Sequence, residues 1–529
     1  MKNIRTIFAL GLLSLFSCNA NGLDSYNPQP EKETLDENIQ KYYVDASSGN
    51  DMNDGSSPDK AWRTLYKANS IKFKPGDTLF FKRGGVFNGV LEISAEGTKE
   101  QPVVIDAYGE GAKPSIHGET NSLYAVRIYN SNYVTLQNLE IVNNGDELLS
   151  KAGLKIECNE YGVSNGLVIR GLTVKDVNGK SDGTNKYSGG ILLTNTGKVK
   201  KSYYKNLLIE NCHIKDCKRN GIFWAGSGGA YCNRANWCPN RDIIIRNNLV
   251  EDVPGDGILP IGCDGVLVEY NVMREDNKGG HNLVAAGIWP WSSDNVVIQY
   301  NHVVGHQART DGQAYDCDFN CRNTVIQYNY SSGNHGGFVL FCNNPNATYV
   351  NNIGVLESKV RYNISINDGV RPTSEGTNPS ALIHFSGDAE NPLIEHNIIH
   401  TSPTKVKADY DFYLVRASIG VALVKDPVFR KNVFYAPYTE RQHGFLMNGA
   451  NASFEDNWYI GNIADVPEGT GARTSSKYYQ EQVADVDPEG YGGLYKLMEK
   501  KTVCGEEFLF VKKDAIEAFF QEMEKEAAQ

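Results

Sequence analysis

The stretch VVIQYNHVVGHQARTDGQAYDCDFNCRNTVIQYN, residues 296–329, decides the fold of this 529-residue chain. It contains one short motif twice, VVIQYN ending at Asn301 and TVIQYN ending at Asn329. Related motifs, each an apolar strand followed by asparagine, end at Asn248, Asn271, Asn363, Asn397, Asn432 and Asn457. Three earlier segments, VTLQNLEI, LVIRGLTV and LLIENCHI, keep the pattern without the final asparagine.

The interval between motifs varies from 23 residues (Asn248 to Asn271) to 35 residues (Asn397 to Asn432). Such variation excludes helical repeats of fixed length and indicates short parallel strands joined by loops of different lengths. A second strand precedes each motif, as in GILPIG, GIWPWS, AYDCDF and GFVLFC. The sequence therefore predicts an all-β right-handed parallel β-helix, a solenoid of about ten to twelve coils with short capping helices.

The repeated asparagines have a structural interpretation. An amide at the same place in every coil can stack on its neighbours and occupy a left-handed or bridging turn conformation. Two further segments predict caps, because an open solenoid end is an exposed sheet edge. DKAWRTLYKAN, residues 59–69, predicts an amphipathic capping helix, and AIEAFFQEMEKEAAQ, residues 515–529, predicts a helix over the other end.

The N-terminus has the features of an export signal. Lys2 and Arg5 precede an apolar run of residues 7–16 that is too short to span a bilayer. The following Leu15-Phe16-Ser17-Cys18 resembles the lipobox of bacterial lipoproteins, which implies lipid attachment to Cys18. The alternative is an ordinary signal peptide with an incidental cysteine.

The expected organisation has five parts. They are a lipoprotein signal peptide (1–17), a flexible tether (18–40), an N-terminal cap with the first coils (41–120), a β-helix catalytic domain (121–465), and a C-terminal extension with a capping helix (466–529). We expect an exported monomer, lipid-anchored in the outer membrane at its surface or periplasmic face, with no other membrane contact.

The charge and the cysteines exclude other classes of partner. A net charge of −11 without a basic tract argues against nucleic acid. The ten cysteines after Cys18 lack paired CxxC spacing, so no zinc or other metal site is expected. Cys232 and Cys238 flank a loop and are the best candidates for a disulfide in an exported protein.

Strand alternation places the acidic residues of AYDCDF. When neighbouring strands are aligned by their opening residues, one orientation contains Ile258, Ile288, Tyr315 and Phe338. The other contains Trp289 and Trp291 on one coil and Asp316 and Asp318 on the next. Because two unpaired carboxylates cannot lie in the core, the orientation with aspartate and tryptophan must face outward.

Outward tryptophan beside aspartate is typical of a sugar-binding cleft, since the indole covers a pyranose face and carboxylates perform acid–base chemistry. The catalytic candidates are Asp316, Asp318, Asp311 and Asp256. The substrate-binding candidates are Trp289, Trp291, His281, His335 and Arg309. Asp256 and Asp311 each precede glycine and could instead be turn formers, the histidines could be simply solvated, and the whole surface could be a decorated solvent face.

Three functions remain open. A glycoside hydrolase acting on a polysaccharide or oligosaccharide would use two of the aspartates and no cofactor. A polysaccharide lyase would bind Ca²⁺ through Asp311, Asp316 and Asp318 and take its base from Arg309, Arg322, Lys278 or His335. A glycan-binding β-helix without activity is the third.

Two segments of the sequence resemble known carbohydrate-active proteins. YYVDASSGNDMNDG, residues 42–55, resembles the entry segment of secreted β-helix proteins that act on polysaccharides. The block GIWPW…DGQAYDCDFNCRN resembles a set of exported Bacteroidota β-helix proteins found among glycan-degrading enzymes, of which the fucosidase/xylanase β-helix family is the nearest group. The resemblance implies a carbohydrate-active β-helix enzyme. Polygalacturonases are similar in carrying aspartates on neighbouring rungs, but their Asn-Thr-Asp, Asp-Asp and Arg-Ile-Lys motifs are absent as such, and only Asn334-His335-Gly336-Gly337 lies in a place comparable to their Gly-His-Gly.

Overall fold

Short parallel strands wind the chain into coils, and each coil contributes to three sheets. In one coil, Gln313–Cys317 lies in sheet 3, Cys321–Gln327 in sheet 1 and Tyr330–Ser332 in sheet 2, after which Gly337–Cys342 returns to sheet 3. The computed structural model describes residues 38–529 except 182–186, 226–231, 276–279, 345, 372–380, 402–411, 418–423, 438–442, 448–449 and 485–491. The expected signal peptide, Cys18 and tether residues 18–37 lie outside the described residues.

Sheet 1 has eighteen strands within the described residues. They are Lys41–Val44, Thr78–Lys82, Val103–Tyr108, Val134–Gln137, Val163–Asn165, Val168–Arg170, Tyr203–Glu210, Asn240–Arg246, Cys263–Glu269, Asp294–Gln299, Cys321–Gln327, Val355–Leu356, Lys359–Arg361, Ala389–Glu390, Leu393–Glu395, Val424–Lys425, Val428–Arg430 and Ser453–Glu455.

Sheet 2 has thirteen strands in the same part of the chain, slightly more than the expected number of coils. They are Val86–Asn88, Ser115–His117, Glu140–Asn143, Thr173–Val177, His213–Cys217, Leu249–Glu251, Val272–Arg274, His302–Val304, Tyr330–Ser332, Ile364–Ile366, Ile398–His400, Val433–Ala436 and Trp458–Gly461.

Sheet 3 has two segments, joined by single bridges from Ile258 to Ile288 and from Ile288 to Tyr315. The first contains Leu91–Ile93, Tyr124–Tyr129, Ala152–Asn159, Gly189–Thr196, Asn220–Trp224 and Ile258–Leu259. The second contains Gln313–Cys317, Gly337–Cys342, Ile383–Ser386, Phe412–Ala417 and His443–Met447. Gly280–Ala285 and Ala308–Asp311 form a separate pair, and Met498–Val503 and Glu506–Val511 form an antiparallel hairpin.

Inward side chains of the coils stack on one another to form the core. Val268, Ile298, Ile326, Val360 and Ile394 occupy the same register position on five successive rungs of sheet 1, and all are fully buried. Each coil alone would leave its apolar face in water, so burial of this face requires the neighbouring coils.

The asparagine column is structural, as predicted. Asn301 Nδ2 donates to Asn329 Oδ1 at 3.1 Å and to the Val268 carbonyl at 2.9 Å, while the Asn301 backbone N–H donates to the same Asn329 oxygen at 2.8 Å. The same side chain to side chain bond links Asn248, Asn271, Asn301, Asn329, Asn363, Asn397, Asn432 and Asn457 in sequence.

The left-handed residue of each turn is the one before the asparagine, which corrects the expectation. Tyr300 has φ of 50° and Tyr328 has φ of 55°. Their rings stack outside the coil at 5.3 Å between centroids, in a row that also contains Tyr270, Tyr362 and His396. A left-handed residue costs about 1–2 kcal/mol, and the aromatic stacking offsets part of that cost.

The helices are shorter or placed differently than predicted. The N-terminal cap contains a 3₁₀ turn, Pro58–Lys60, and one α-helical turn, Leu65–Ala68. Trp62 between them is extended, because its backbone bonds to Tyr43 and Asp45 beside the first strand. The remaining short helical segments are Arg234–Asn236, Thr348–Val350, Lys477–Tyr479, Gln480–Ala484 and Leu494–Leu497.

The C-terminal helix, Lys513–Ala528, lies along the side of the solenoid rather than over its end. Phe520 packs on the His396 ring at 5.1 Å, Glu517 accepts a hydrogen bond from the Tyr328 hydroxyl at 2.6 Å, and Glu524 pairs with Lys431 at 2.8 Å. The helix therefore covers part of the exterior aromatic row, an apolar surface that would otherwise face water. No helix in the described residues is long and apolar enough to cross a membrane.

We predict that Asn329→Ala lowers the free energy of unfolding by about 2–4 kcal/mol, because it leaves several buried polar groups without a partner. The matched control is Asn451→Ala, which removes an exposed side chain bonded to Asp426 and should cost less than about 0.5 kcal/mol. Urea denaturation followed by circular dichroism measures both. Equal costs would contradict a structural asparagine column.

Candidate active site

The strand Gln313–Cys317 presents its acidic residues outward, as predicted. Tyr315 and Cys317 point into the core and are fully buried. The hydroxyl of Tyr315, which needs a partner there, donates to the carbonyl oxygens of Tyr330 at 2.9 Å and Asn301 at 3.2 Å. Asp316 and Asp318 consequently lie on the outer face of sheet 3.

The predicted register is wrong by one residue on the next coil. Tyr315 pairs with Val339, not with Phe338, and Asp316 pairs with Leu340. Gln313 therefore lies opposite Gly337, and the tight turn at Gly312 lies opposite Gly336. Alignment by opening residue failed because AYDCDF begins one residue inside its strand. Leu340, rather than Val339, continues the outward row of Asp316.

Four carboxylates meet on this face. Burial raises the pKa of Asp316 well above its usual range, and the charges of Asp311, Asp318 and Asp256, in that order, raise it further. Asp316 is only 3% exposed, and its Oδ1 is buried without a hydrogen-bond partner in the described part of the chain. A carboxyl group in this environment holds its proton near neutral pH.

Asp318 is 7% exposed, and its Oδ1 accepts a hydrogen bond from the Phe319 backbone N–H at 2.6 Å. It lies beside Cys342 on the next rung. Burial, followed by the charges of Asp318, Asp311 and Asp316, raises the pKa of that thiol well above its usual range. This backbone hydrogen bond distinguishes Asp318 from Asp316, whose Oδ1 has no partner within the described residues.

Asp256 joins the cluster from the turn before strand Ile258–Leu259. Its Oδ1 accepts hydrogen bonds from Trp289 Nε1 at 3.2 Å and from the Ala286 N–H at 3.3 Å, and its own N–H donates to Asn220 Oδ1. Asp256 is thus more than a turn former, since its carboxylate anchors the indole beside the acidic residues.

The two tryptophans do not form an exposed stacking surface, which corrects the expectation. Both point away from the core, but Trp289 is 8% exposed and Trp291 is 5% exposed. Trp291 packs edge-on against Phe319 at 5.1 Å. Trp289, through its bond to Asp256, forms an apolar wall beside the carboxylate cluster. An apolar wall removes water from the carboxyl groups and so contributes to the raised pKa of Asp316.

Asp311 is partly exposed and has a left-handed backbone, with φ of 63°. Its carbonyl oxygen accepts a hydrogen bond from Arg371 Nη2, and Arg371 Nε donates to the Ala308 carbonyl at 3.0 Å. Arg371 is buried and positions this turn. No sequence pattern indicates Arg371, because it follows Asp311 by 60 residues and belongs to no repeated motif.

The other three residues predicted to bind substrate, His335, Arg309 and His281, lie in different environments. His335 is buried on the rung after Asp311, and its N–H donates to the His306 carbonyl at 2.9 Å. Arg309 is exposed in the strand Ala308–Asp311. His281 falls in the strand Gly280–Ala285, but its side chain lies outside the described residues.

Cys232 and Cys238 are not joined to each other, so the disulfide considered for them is not present. The described residues contain no group of three or more histidine, cysteine, aspartate or glutamate side chains arranged to hold a metal ion.

Known proteins resemble this chain in fold and in amino-acid sequence. A model described as "Right handed beta helix region" matches residues 189–356, which agrees with the predicted handedness. Lacto-N-biosidase of Bifidobacterium longum subsp. longum is 28% identical, over 80% of this chain and 31% of its own length. The chain therefore spans less than a third of that curated relative.

Two further proteins are similar. The crystal structure of a GH136 lacto-N-biosidase from Eubacterium ramulus is 26% identical with a TM-score of 0.55, covering 73% of this chain and 68% of that one. Alpha-1,3-galactosidase A of Akkermansia muciniphila is 32% identical, but over only 15% of this chain and 13% of its own length. All three relatives are named as glycosidases, which agrees with the expectation of a carbohydrate-active β-helix enzyme.

We predict that Asp316→Asn stabilises the protein at pH 7. The folded state raises the pKa of Asp316, so this group contributes most stability below the ordinary aspartate pKa of about 4 and loses it as pH rises through the folded pKa. Asparagine does not ionise, so the variant does not lose stability as the pH rises. The difference in melting temperature between variant and wild type should be positive at neutral pH and vanish below about pH 4. A variant that is less stable at pH 7 would contradict a protonated, destabilising Asp316.

Proposed function

We propose that the protein is a glycoside hydrolase that acts on oligosaccharides, with a specificity like that named for lacto-N-biosidase. The observation that supports it most is the cluster of Asp256, Asp311, Asp316 and Asp318 on one outward face, where burial raises the pKa of Asp316 and a backbone N–H donates to Asp318. The similarity to lacto-N-biosidases over most of this chain supports the same reaction.

The different environments of the two strand carboxyls suggest their roles. Asp316, kept protonated by burial and by its acidic neighbours, gives its proton to the oxygen of the bond that breaks. Asp318, whose carboxyl group accepts the Phe319 N–H, stabilises the positive charge that develops on the sugar and attacks the anomeric carbon or activates water. Asp311 is the most exposed of the three and lies nearest to incoming sugar hydroxyls.

Export by a signal peptide, lipid attachment at Cys18, an outer-membrane location and a monomeric state belong to the same proposal. A lipid anchor would hold the enzyme at the membrane while residues 18–40 act as a tether. Replacing Cys18 with alanine should move the protein from the membrane fraction to the soluble fraction of cells that express it, as measured by immunoblotting.

The reaction type is tested by incubating the protein with plant and host oligosaccharides and separating the products. New reducing ends without an ultraviolet-absorbing unsaturated sugar are expected. An unsaturated product whose formation a chelator prevents would show a Ca²⁺-dependent lyase and overturn the proposal. Binding without cleavage of any sugar would leave a glycan-binding protein.

We predict that Asp316→Asn and Asp318→Asn each lower kcat/KM by about 10²–10⁴-fold, because each removes a group that acts in the transition state. The two differ in leaving-group dependence. Asp316→Asn should recover most of its rate with an activated aryl glycoside, which needs no proton, whereas Asp318→Asn should not.

The matched control is Asp426→Asn, which changes an exposed carboxylate on another turn and should keep full activity. Folding of every variant is checked by circular dichroism. Near-normal activity of both strand variants, with the control also active, would refute the assignment of Asp316 and Asp318.

A further inference from the structure

A row of outward side chains continues from the carboxylate cluster across sheet 3. Asp316 pairs with Leu340, Leu340 with His384, and His384 with Arg416. Neighbouring rungs are about 4.8 Å apart, so Arg416 lies about 14 Å from Asp316 along the same face. Leu340 is buried, whereas His384 and Arg416 are partly exposed. The row therefore leads from the buried acids to an accessible surface.

Arg416 has hydrogen-bonding capacity that the fold leaves unused. Its Nε is buried and has no hydrogen-bond partner within the described residues, and its guanidinium lies 5.9 Å from the centre of the Tyr413 ring. A guanidinium has five N–H donors, no acceptor and a permanent charge. A buried donor on a charged group without a partner is costly, so this side chain is arranged to receive an acceptor from outside.

His384 shows that the surroundings are positive. Burial lowers the pKa of His384 to about 4, and the charges of Arg416 and Arg371 lower it further. The ring is therefore neutral at neutral pH and can donate one hydrogen bond. Arg371 also holds the Ala308 and Asp311 carbonyl oxygens, so it links this positive area to the turn of the acidic cluster.

This positive area contrasts with the rest of the protein. The chain has a net charge of −11, and Asp311, Asp316 and Asp318 form an acidic cluster at the start of this row. A neutral glycan can bind beside these aspartates without any cationic side chain nearby. An acidic glycan, in contrast, would be repelled by the aspartates. The positive charges of Arg371 and Arg416 offset that repulsion for a negatively charged group that binds beyond Leu340.

We propose that Arg416 and His384 form a subsite for an anionic substituent, a carboxylate or a sulfate ester, on a sugar near the bond that the enzyme cuts. The inference rests on the proposed function for its substrate and adds that acidic oligosaccharides are preferred. A planar guanidinium matches either anion through two parallel N–H···O bonds. Tyr413 under the guanidinium keeps it in place.

The binding test uses the full chain carrying Asp318→Asn, so that sugars are not consumed. The probes are one neutral galactose-terminated oligosaccharide, its sialylated form and its sulfated form, and affinity is measured by calorimetry. Tighter binding of one or both acidic probes, by about tenfold or more, is expected. Preference for the sialylated or the sulfated probe identifies the carboxylate or the ester as the natural group.

Substitutions locate the effect. Arg416→Ala added to the same protein should reduce the acidic-to-neutral affinity ratio to about one, and Arg416→Lys should restore part of it, because it keeps the charge but not the paired bonds. Arg241→Ala, which removes an exposed arginine on sheet 1, is the matched control and should leave the ratio unchanged. No preference for either acidic probe, or an unchanged ratio in Arg416→Ala, overturns the subsite.

A second measurement does not depend on cleavage. An anion beside His384 would counter the arginine charges, so acidic probes should raise the pKa of the His384 imidazole in an NMR titration, while the neutral probe should not. If no sugar is hydrolysed but the acidic probes bind through Arg416, the proposed hydrolase fails and the anionic subsite stands. If neutral sugars are hydrolysed and acidic probes gain nothing, the hydrolase stands and the subsite fails.

Discussion

The buried asparagine column is the interaction on which the rest of the structure depends. A parallel strand can slide along its neighbour with little change in its own backbone hydrogen bonds, and a slip of one residue would move every side chain to the opposite face. Each asparagine bonds both the backbone and the amide of the coil beside it, inside a buried turn. A slipped coil would leave these groups unpaired, so the column holds the coils from Asn248 to Asn457 in one register.

Register in turn decides the chemistry of the outer face. Asp311, Asp316 and Asp318 lie on one coil, and Asp256 can join them only because its own coil, two rungs earlier, is held in register with theirs. Gathering carboxyl groups in this way is unfavourable for stability, since burial and mutual repulsion both oppose ionisation. The solenoid tolerates it because the apolar core beneath, which is shared along the whole length, supplies stability elsewhere.

Segments distant in sequence complete the site. Arg371 reaches the Asp311 turn from two coils further along, and the Arg416 and His384 pair extends the same face toward solvent. The outer surface of a β-helix is thus assembled rung by rung, so one side chain exchanged on one rung can alter which sugar is accepted without changing the coil. Such independence suits a fold whose relatives bear the names of different glycosidases.

The sequence by itself determined the parallel β-helix, the structural asparagines and the outward orientation of Asp316 and Asp318. It did so because strand alternation and a repeated buried amide are local patterns. Only the tertiary structure decided that Gln313 lies opposite Gly337, that Trp289 and Trp291 are covered rather than exposed, and that Arg371 holds Asp311. These depend on turn geometry and on contacts between coils, which single strands do not encode. The C-terminal helix shows the same limit: its amphipathic pattern predicts a helix, but only the aromatic row outside the coils determines the surface that it covers.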